Sequence, residues 1–176
     1  MDANGVTGTE SERISVAEAR DADTAAIAMF LWEAWRSSGP NALGWAGASE
    51  EVIAELTAPD AIRARIGGPD RRMFLAWEGD RVVGFSATLV VDGETVELVG
   101  IIVLQSMLGR GVGTPLLEAA VRSVDEAGFR RVLVKTEATN ERALGFYRSR
   151  GFSDSRIVIE DVEGTPMELA ELIRTL

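Results

Sequence analysis

The stretch from Val96 to Leu117 (V-E-L-V-G-I-I-V-L-Q-S-M-L-G-R-G-V-G-T-P-L-L) constrains this chain more than any other. An apolar run with strand character enters a loop with glycine at three alternate positions, Gly109, Gly111 and Gly113. A Thr-Pro pair then opens an apolar segment of helical spacing. Glycine is needed where the backbone takes φ > 0 or must approach a ligand closely. A helix start adds unpaired N–H donors and the positive end of the helix dipole. Together these elements suit the holding of a phosphate. Taken alone, the same glycines fit a tight turn equally well.

Neither of two common nucleotide motifs describes the loop. A Walker A loop has a lysine directly after its last glycine, and none follows here. A dinucleotide fingerprint needs glycine at 114, where Thr114 stands, and belongs near the start of a βαβ unit. The residues before it alternate as an antiparallel meander instead.

Absent residue types narrow the chemistry. The 176 residues contain no cysteine and no histidine. Disulfides, thiolate nucleophiles and zinc–thiolate sites are excluded, and so are Ser-His triads and imidazole metal sites. No metal is expected. Acid–base work falls to Asp, Glu, Tyr or the single lysine, Lys135. The net charge of −10 repels nucleic acid and anionic membranes and suits a cationic small partner, although it also serves solubility. No apolar run approaches the length of a membrane span, and the first residues lack the regions of a signal peptide. A cytoplasmic single domain over residues 1–176 is expected, with residues 1–12 as a disordered leader.

Periodicity predicts a short strand from Ile14 to Ala19. A helix capped by Asp21 or Asp23 follows, running to about Ser37 and closed by Gly39-Pro40-Asn41. Ser49 starts a second helix to about Leu56, and Pro59 another helical turn or two, ended by Gly67-Gly68-Pro69. The period then changes to two. Strands are predicted over Met73–Glu78 and Arg81–Val91, with Asp92-Gly93 turning the chain into the strand that ends at Leu104. A helix from about Thr114 to Ala127, a strand over Arg131–Thr136, a helix from Asn140 to Arg150 and a strand over Phe152–Val162 complete the order. The last ten residues fit strand or helix, and the Glu163-Gly164 turn favours a strand. The layout is α/β, a mixed sheet flanked by helices.

The segment V-L-Q-S-M-L-G-R-G-V-G-T-P-L-L, followed by T-N-E-R-A-L-G-F-Y-R-S-R-G-F, resembles the GNAT superfamily of acyl-CoA-dependent N-acetyltransferases. The family's glycine loop falls on Leu108, Gly109, Arg110, Gly111, Val112 and Gly113. Its second signature falls on Asn140, Phe146, Tyr147, Gly151 and Phe152. The likeness extends over about residues 14 to 172 and implies a mixed, mostly antiparallel sheet splayed at its central strands. It implies acetyl-CoA as cosubstrate, with the pyrophosphate on backbone N–H groups from Leu108 to Thr114. Two positions depart from the pattern. Leu108 stands where the family carries Gln or Arg, and Gln105 stands where a proline is common. Arg110 is the charge available to offset Leu108.

Glu97 is the candidate general base. It interrupts an apolar strand, where desolvation raises a carboxyl pKa, and the resemblance puts the base of some members at this strand position. A strand-end glutamate facing solvent is the plain alternative, and Glu94 is the reserve candidate. Gly100 in the same strand marks a bulge or a close backbone approach. By resemblance, Ile101 lends an N–H to the thioester carbonyl and Val103 pairs with the pantetheine arm. A bulge changes strand parity, so counting does not decide which face Glu97 shares with them. Tyr147, the only tyrosine, is the family's candidate acid for the leaving thiolate, while periodicity alone allows a core residue beside Phe146. Asn140 is a pantetheine contact, a helix cap, or both. Lys135 reads as a solvated strand residue. Trp32, Trp35 and Trp45 fall where the family builds its acceptor pocket.

The expected function is transfer of acetyl from acetyl-CoA to a primary amine by direct attack. The acceptor expected is a small cation, with a peptide amine also allowed; a homodimer is left open. A non-catalytic acyl-CoA-binding module of the same fold is the first alternative, kept by Leu108. A nucleotide-binding protein of another fold is the second.

Overall fold

The structure, a computed structural model, describes residues 14–37, 49–66, 68–162 and 165–176. The expected leader, Gly39-Pro40-Asn41, Trp45, Gly67 and Glu163-Gly164 lie outside the described residues. Strand β1 (Ser15–Glu18) leads through one 3-10 turn (Asp21–Asp23) into helix α1 (Thr24–Ser37). The two aspartates divide that start. The Asp23 carboxylate accepts from the Arg20 N–H at 2.8 Å, and the Asp21 carbonyl accepts from the Thr24 hydroxyl at 2.6 Å. Helix α2 (Glu50–Leu56) is capped by Ser49, whose hydroxyl accepts from the Val52 N–H, and α3 (Pro59–Ile66) opens on its proline.

Strands β2 (Arg71–Glu78), β3 (Arg81–Val90) and β4 (Thr95–Val103) form the meander. The Asp92 carboxylate fixes the second turn by accepting from the N–H groups of Glu94 and Thr95, each at 2.8 Å. A 3-10 turn over Gln105–Met107, absent from the sequence-based reading, precedes the glycine loop. Then come α4 (Gly113–Glu126), β5 (Arg131–Glu137), α5 (Glu141–Arg148), β6 (Ser153–Val162) and β7 (Thr165–Thr175). Helix α5 stops two residues before the predicted Arg150, with Gly151 at φ 84° completing the turn. The ambiguous C-terminal segment is a strand because it pairs on both sides, with β5 and with β6.

The seven strands lie in the order β1-β2-β3-β4-β5-β7-β6, and only β4 and β5 run parallel. Directly paired residues share a face of the sheet. Gly84, Ser86 and Thr88 of β3 face α4. The Ser86 hydroxyl lies 3.5 Å from the Leu116 carbonyl, and a Cβ on Gly84 would sit 2.8 Å from Val112 and 2.9 Å from Leu116. Phe85 points to the opposite face, where its ring meets Phe30 of α1 at 6.5 Å. Helices α1 and α4 therefore cover opposite faces. Leu116, Leu117, Ala120, Val121 and Val124 form the buried stripe of α4. Helix α5 lies beside the start of α4, since a Cβ on Gly113 would touch the Phe146 ring at 3.4 Å.

Candidate active site

The centre of the sheet is open. Strand β4 pairs with β5 over four residues only, from Thr95 with Arg131 to Leu98 with Val134. Beyond that point β4 stays on β3 as far as Val103 with Gly84, while β5 stays on β7 as far as Glu137 with Leu169. A bulge marks the parting. Ala87 pairs with Gly100 and Thr88 with Leu98, so Val99 is the unopposed residue. The Leu104 N–H donates to the Val83 carbonyl at 3.1 Å. Antiparallel alternation then turns the N–H groups of Ile101 and Val103 away from β3, toward the gap. Such an edge of peptide groups accepts a ligand with amides of its own.

The bulge decides parity. Val96, Leu98, Ile101 and Val103 share the face of α4, while Glu97 and Ile102 share the other with Leu89 and Phe85. Glu97 is thus on the opposite face of β4 from Ile101 and Val103. Its side chain is 21% exposed, and burial raises its pKa above the ordinary carboxylate value. The Lys135 ammonium, 3.8 Å away, opposes that rise without cancelling it. Lys135 itself is not the solvated residue expected. It donates to Glu160 at 2.6 Å and is only 21% exposed, and that hydrogen bond raises its pKa. Glu171, which pairs with Lys135 across the sheet, is buried and holds Arg156 at 2.6 Å. The reserve candidate Glu94 is tied to Arg131 at 3.2 Å at the far end of β4.

Tyr147 is buried on the α4 side, edge-on to Phe146 and Phe152 at 5.2 and 5.5 Å. Burial pushes its pKa up to about 12, so the phenol keeps its proton at any working pH. Asn140 caps α5, accepting from the Ala143 N–H at 3.0 Å, which leaves its amide NH₂ for another partner. Thr136, not singled out from the sequence, stands two residues past the last β4–β5 pair. Its hydroxyl is buried without a hydrogen-bond partner.

Gly109 and Gly111 take φ of 80° and 81° with open space around both, so conformation and not crowding requires glycine there. Val112 is buried, Leu108 half-buried, and Gly113 and Thr114 open α4. Arg110 lies in the loop, but its guanidinium is paired with Glu78 of β2 at 2.8 Å and contacts Met107 sulfur at 2.9 Å. The cation that does reach the start of α4 is Arg150, which donates to the Thr114 hydroxyl at 2.6 Å. Its sequence distance of 36 residues hid it. Trp32 and Trp35 meet edge-on at 5.7 Å. Trp32 lines an open groove along α1 with Met29 and Arg36, and no residue of β4 or β5 lines that groove.

Known proteins share the sequence pattern and the fold of this chain. The model of the acetyltransferase (GNAT) family matches residues 29–152. The chain belongs to the GNAT family. A mycothiol acetyltransferase of Corynebacterium efficiens is 32% identical over 77 residues, which is 44% of this GNAT chain and 26% of that protein. The chain thus spans about a quarter of that relative's length. An uncharacterized N-acetyltransferase of Bacillus subtilis, YsnE, is 28% identical over 103 residues, covering 55% of this chain and 68% of the other. Among solved structures, the PaiA N-acetyltransferase of Thermoplasma acidophilum in complex with coenzyme A superposes with a TM-score of 0.68 at 18% identity, covering 93% of this chain and 99% of that one. At that identity the likeness shows the GNAT fold, an α/β sheet of seven strands flanked by helices.

Proposed function

We propose that the chain moves acetyl from acetyl-CoA to a primary amine by direct attack, with a small cationic molecule as acceptor. The observation that carries this reading is the gap between β4 and β5. It begins at Leu98 and Val134 and is edged by the N–H groups of Ile101 and Val103, with the glycine loop following β4, Glu97 on the face away from α4, and Tyr147 against Phe146, whose ring packs where α4 opens. Two orphaned polar atoms support the fit. The buried Thr136 hydroxyl suits a pantetheine amide, and the buried Nε–H of Arg150 lies on a side chain that reaches the loop. Family membership and the coenzyme A bound to the Thermoplasma relative agree.

Each residue then has one task. An ammonium of pKa about 10 must lose a proton before it attacks, and Glu97, its carboxyl basicity raised by burial, takes it directly or through water. The Ile101 N–H stabilises the oxyanion as the N–C bond forms. The C–S bond breaks, the nitrogen gives up its second proton to solvent to leave a neutral amide, and the thiolate receives a hydrogen bond from Tyr147. A phenol at about 12 does not surrender its proton outright to a thiolate of pKa about 8.5, so its work is stabilisation as the sulfur departs. On the acceptor face Lys135 and Arg156 offset two of the three carboxylates of Glu97, Glu160 and Glu171, and the remaining negative charge, with the net charge of −10, favours a cation.

The absence of cysteine makes the test clean, because a thiol reagent reports released CoA alone. Acetyl-CoA with polyamines, amino sugars, amino-acid amines and peptides should give amine-dependent thiol release, fastest with a small cation. Tight acetyl-CoA binding with no turnover, unchanged by Glu97→Gln or Tyr147→Phe, would favour the non-catalytic module. No binding of any acyl-CoA would overturn both.

A further inference from the structure

The glycine loop lacks the side chain that its relatives use toward the phosphates, because position 108 is leucine, and Arg110 is neutralised by Glu78. A guanidinium nevertheless stands at the start of α4. Arg150 donates to the Thr114 hydroxyl at 2.6 Å, to the Phe146 carbonyl at 3.0 Å and to the Ser149 hydroxyl at 2.9 Å. Its carbon Cζ lies 3.8 Å from the centroid of the Phe146 ring, which holds the group flat against α5. That ring in turn packs where Gly113 opens α4.

The placement is favoured at the end of α5, where the Phe146 carbonyl accepts from the guanidinium, and disfavoured at the start of α4. The first turn of α4 carries the positive end of the helix dipole, where a cation is disfavoured. Among the described residues no carboxylate pairs with Arg150, as none does with Arg65 or Arg174. The Arg150 Nε–H is buried with no acceptor, a cost that a protein normally avoids. An anion on the loop would reverse the sign of the dipole and charge terms together.

We propose that Arg150 is the phosphate-binding cation of this chain, directed at the pyrophosphate of the acyl-CoA in place of the residue missing at 108. The proposal rests on the acyl-CoA reading above. The bond to Thr114 holds the guanidinium at the α4 start, beside the glycine loop, and this selects the pyrophosphate over the 3′-phosphate.

Calorimetric titration of CoA, 3′-dephospho-CoA and pantetheine into wild type and Arg150→Gln tests it. Loss of a charge-assisted contact should weaken CoA and dephospho-CoA alike, by roughly tenfold or more, and leave pantetheine unchanged. Arg150→Lys, with the charge kept and the fork lost, should fall between. Unchanged CoA affinity overturns the proposal, as does a loss seen with CoA but not dephospho-CoA, or an equal loss with pantetheine. If Arg150→Gln does not fold, Thr114→Val serves instead, with a smaller loss confined to the two phosphate-bearing ligands. Failure of wild type to bind any of the three would overturn the acyl-CoA reading itself, a result distinct from equal binding by wild type and variant.

Discussion

At the residue scale the sharpest consequences sit on Glu97. Its folded pKa lies above the unfolded value because burial outweighs the attraction of Lys135. A group shifted this way contributes stability that is fully present below its unfolded pKa and is lost as pH rises through the folded one. Glu97→Gln removes that loss, and Lys135 keeps Glu160 as partner. The variant should therefore melt no lower than wild type at pH 8, while kcat/KM falls by about 10²–10⁴, the range for a lost general base. Melting curves at pH 5 and 8, beside thiol-release kinetics, check both halves. Lys135→Met supplies the complementary result. Without the ammonium at 3.8 Å, and with Glu160 left as a bare carboxylate nearby, the Glu97 carboxyl should titrate higher still. The acid limb of the kcat/KM profile should move to higher pH. A limb that stays in place would separate Glu97 from the chemistry.

At the scale of elements, the approach of α4 to β3 depends on one missing side chain. A methyl on Gly84 would lie under 3 Å from both Val112 and Leu116, the residues that bring the loop and the first turn of α4 down onto the sheet. Gly84→Ala should cost about 1–3 kcal/mol by overpacking, and should weaken CoA because the loop shifts with α4. Urea denaturation against Gly100→Ala makes the comparison, since a Cβ at Gly100 meets nothing within 4 Å. The elements were largely readable because their signals are local. Ser49 and Asn140 cap the helices that they announce, and the Asp92-Gly93 turn forms as composition suggests. The start of α1 differed because Asp23 accepts from the Arg20 N–H and tightens the first turn to 3-10 geometry. The C-terminal strand was ambiguous from periodicity because its identity comes from two neighbours distant in sequence.

For the molecule as a whole, the gap between β4 and β5 leaves the sheet incomplete along its middle. A ligand that fills it binds only the folded chain, so acetyl-CoA at about 100 times its Kd should add roughly 2.7 kcal/mol. For a chain of this size that is a rise of about 5–10 °C in Tm, read by scanning fluorimetry. Pantetheine, lacking the phosphates that would bridge loop and α4, should raise it less at equal concentration. The sequence by itself determined the α/β layout, the order of its elements, the glycines that the loop conformation requires and the exclusion of cysteine and histidine chemistry. These follow from backbone propensity and composition, which are properties of neighbours along the chain. Only the tertiary structure decided which face Glu97 occupies, because the one extra residue at Val99 reverses a parity that counting assumes. It alone paired Arg110 with Glu78 and brought Arg150 to Thr114. Long side chains choose partners by position in space, and position in space is set by packing across the sheet.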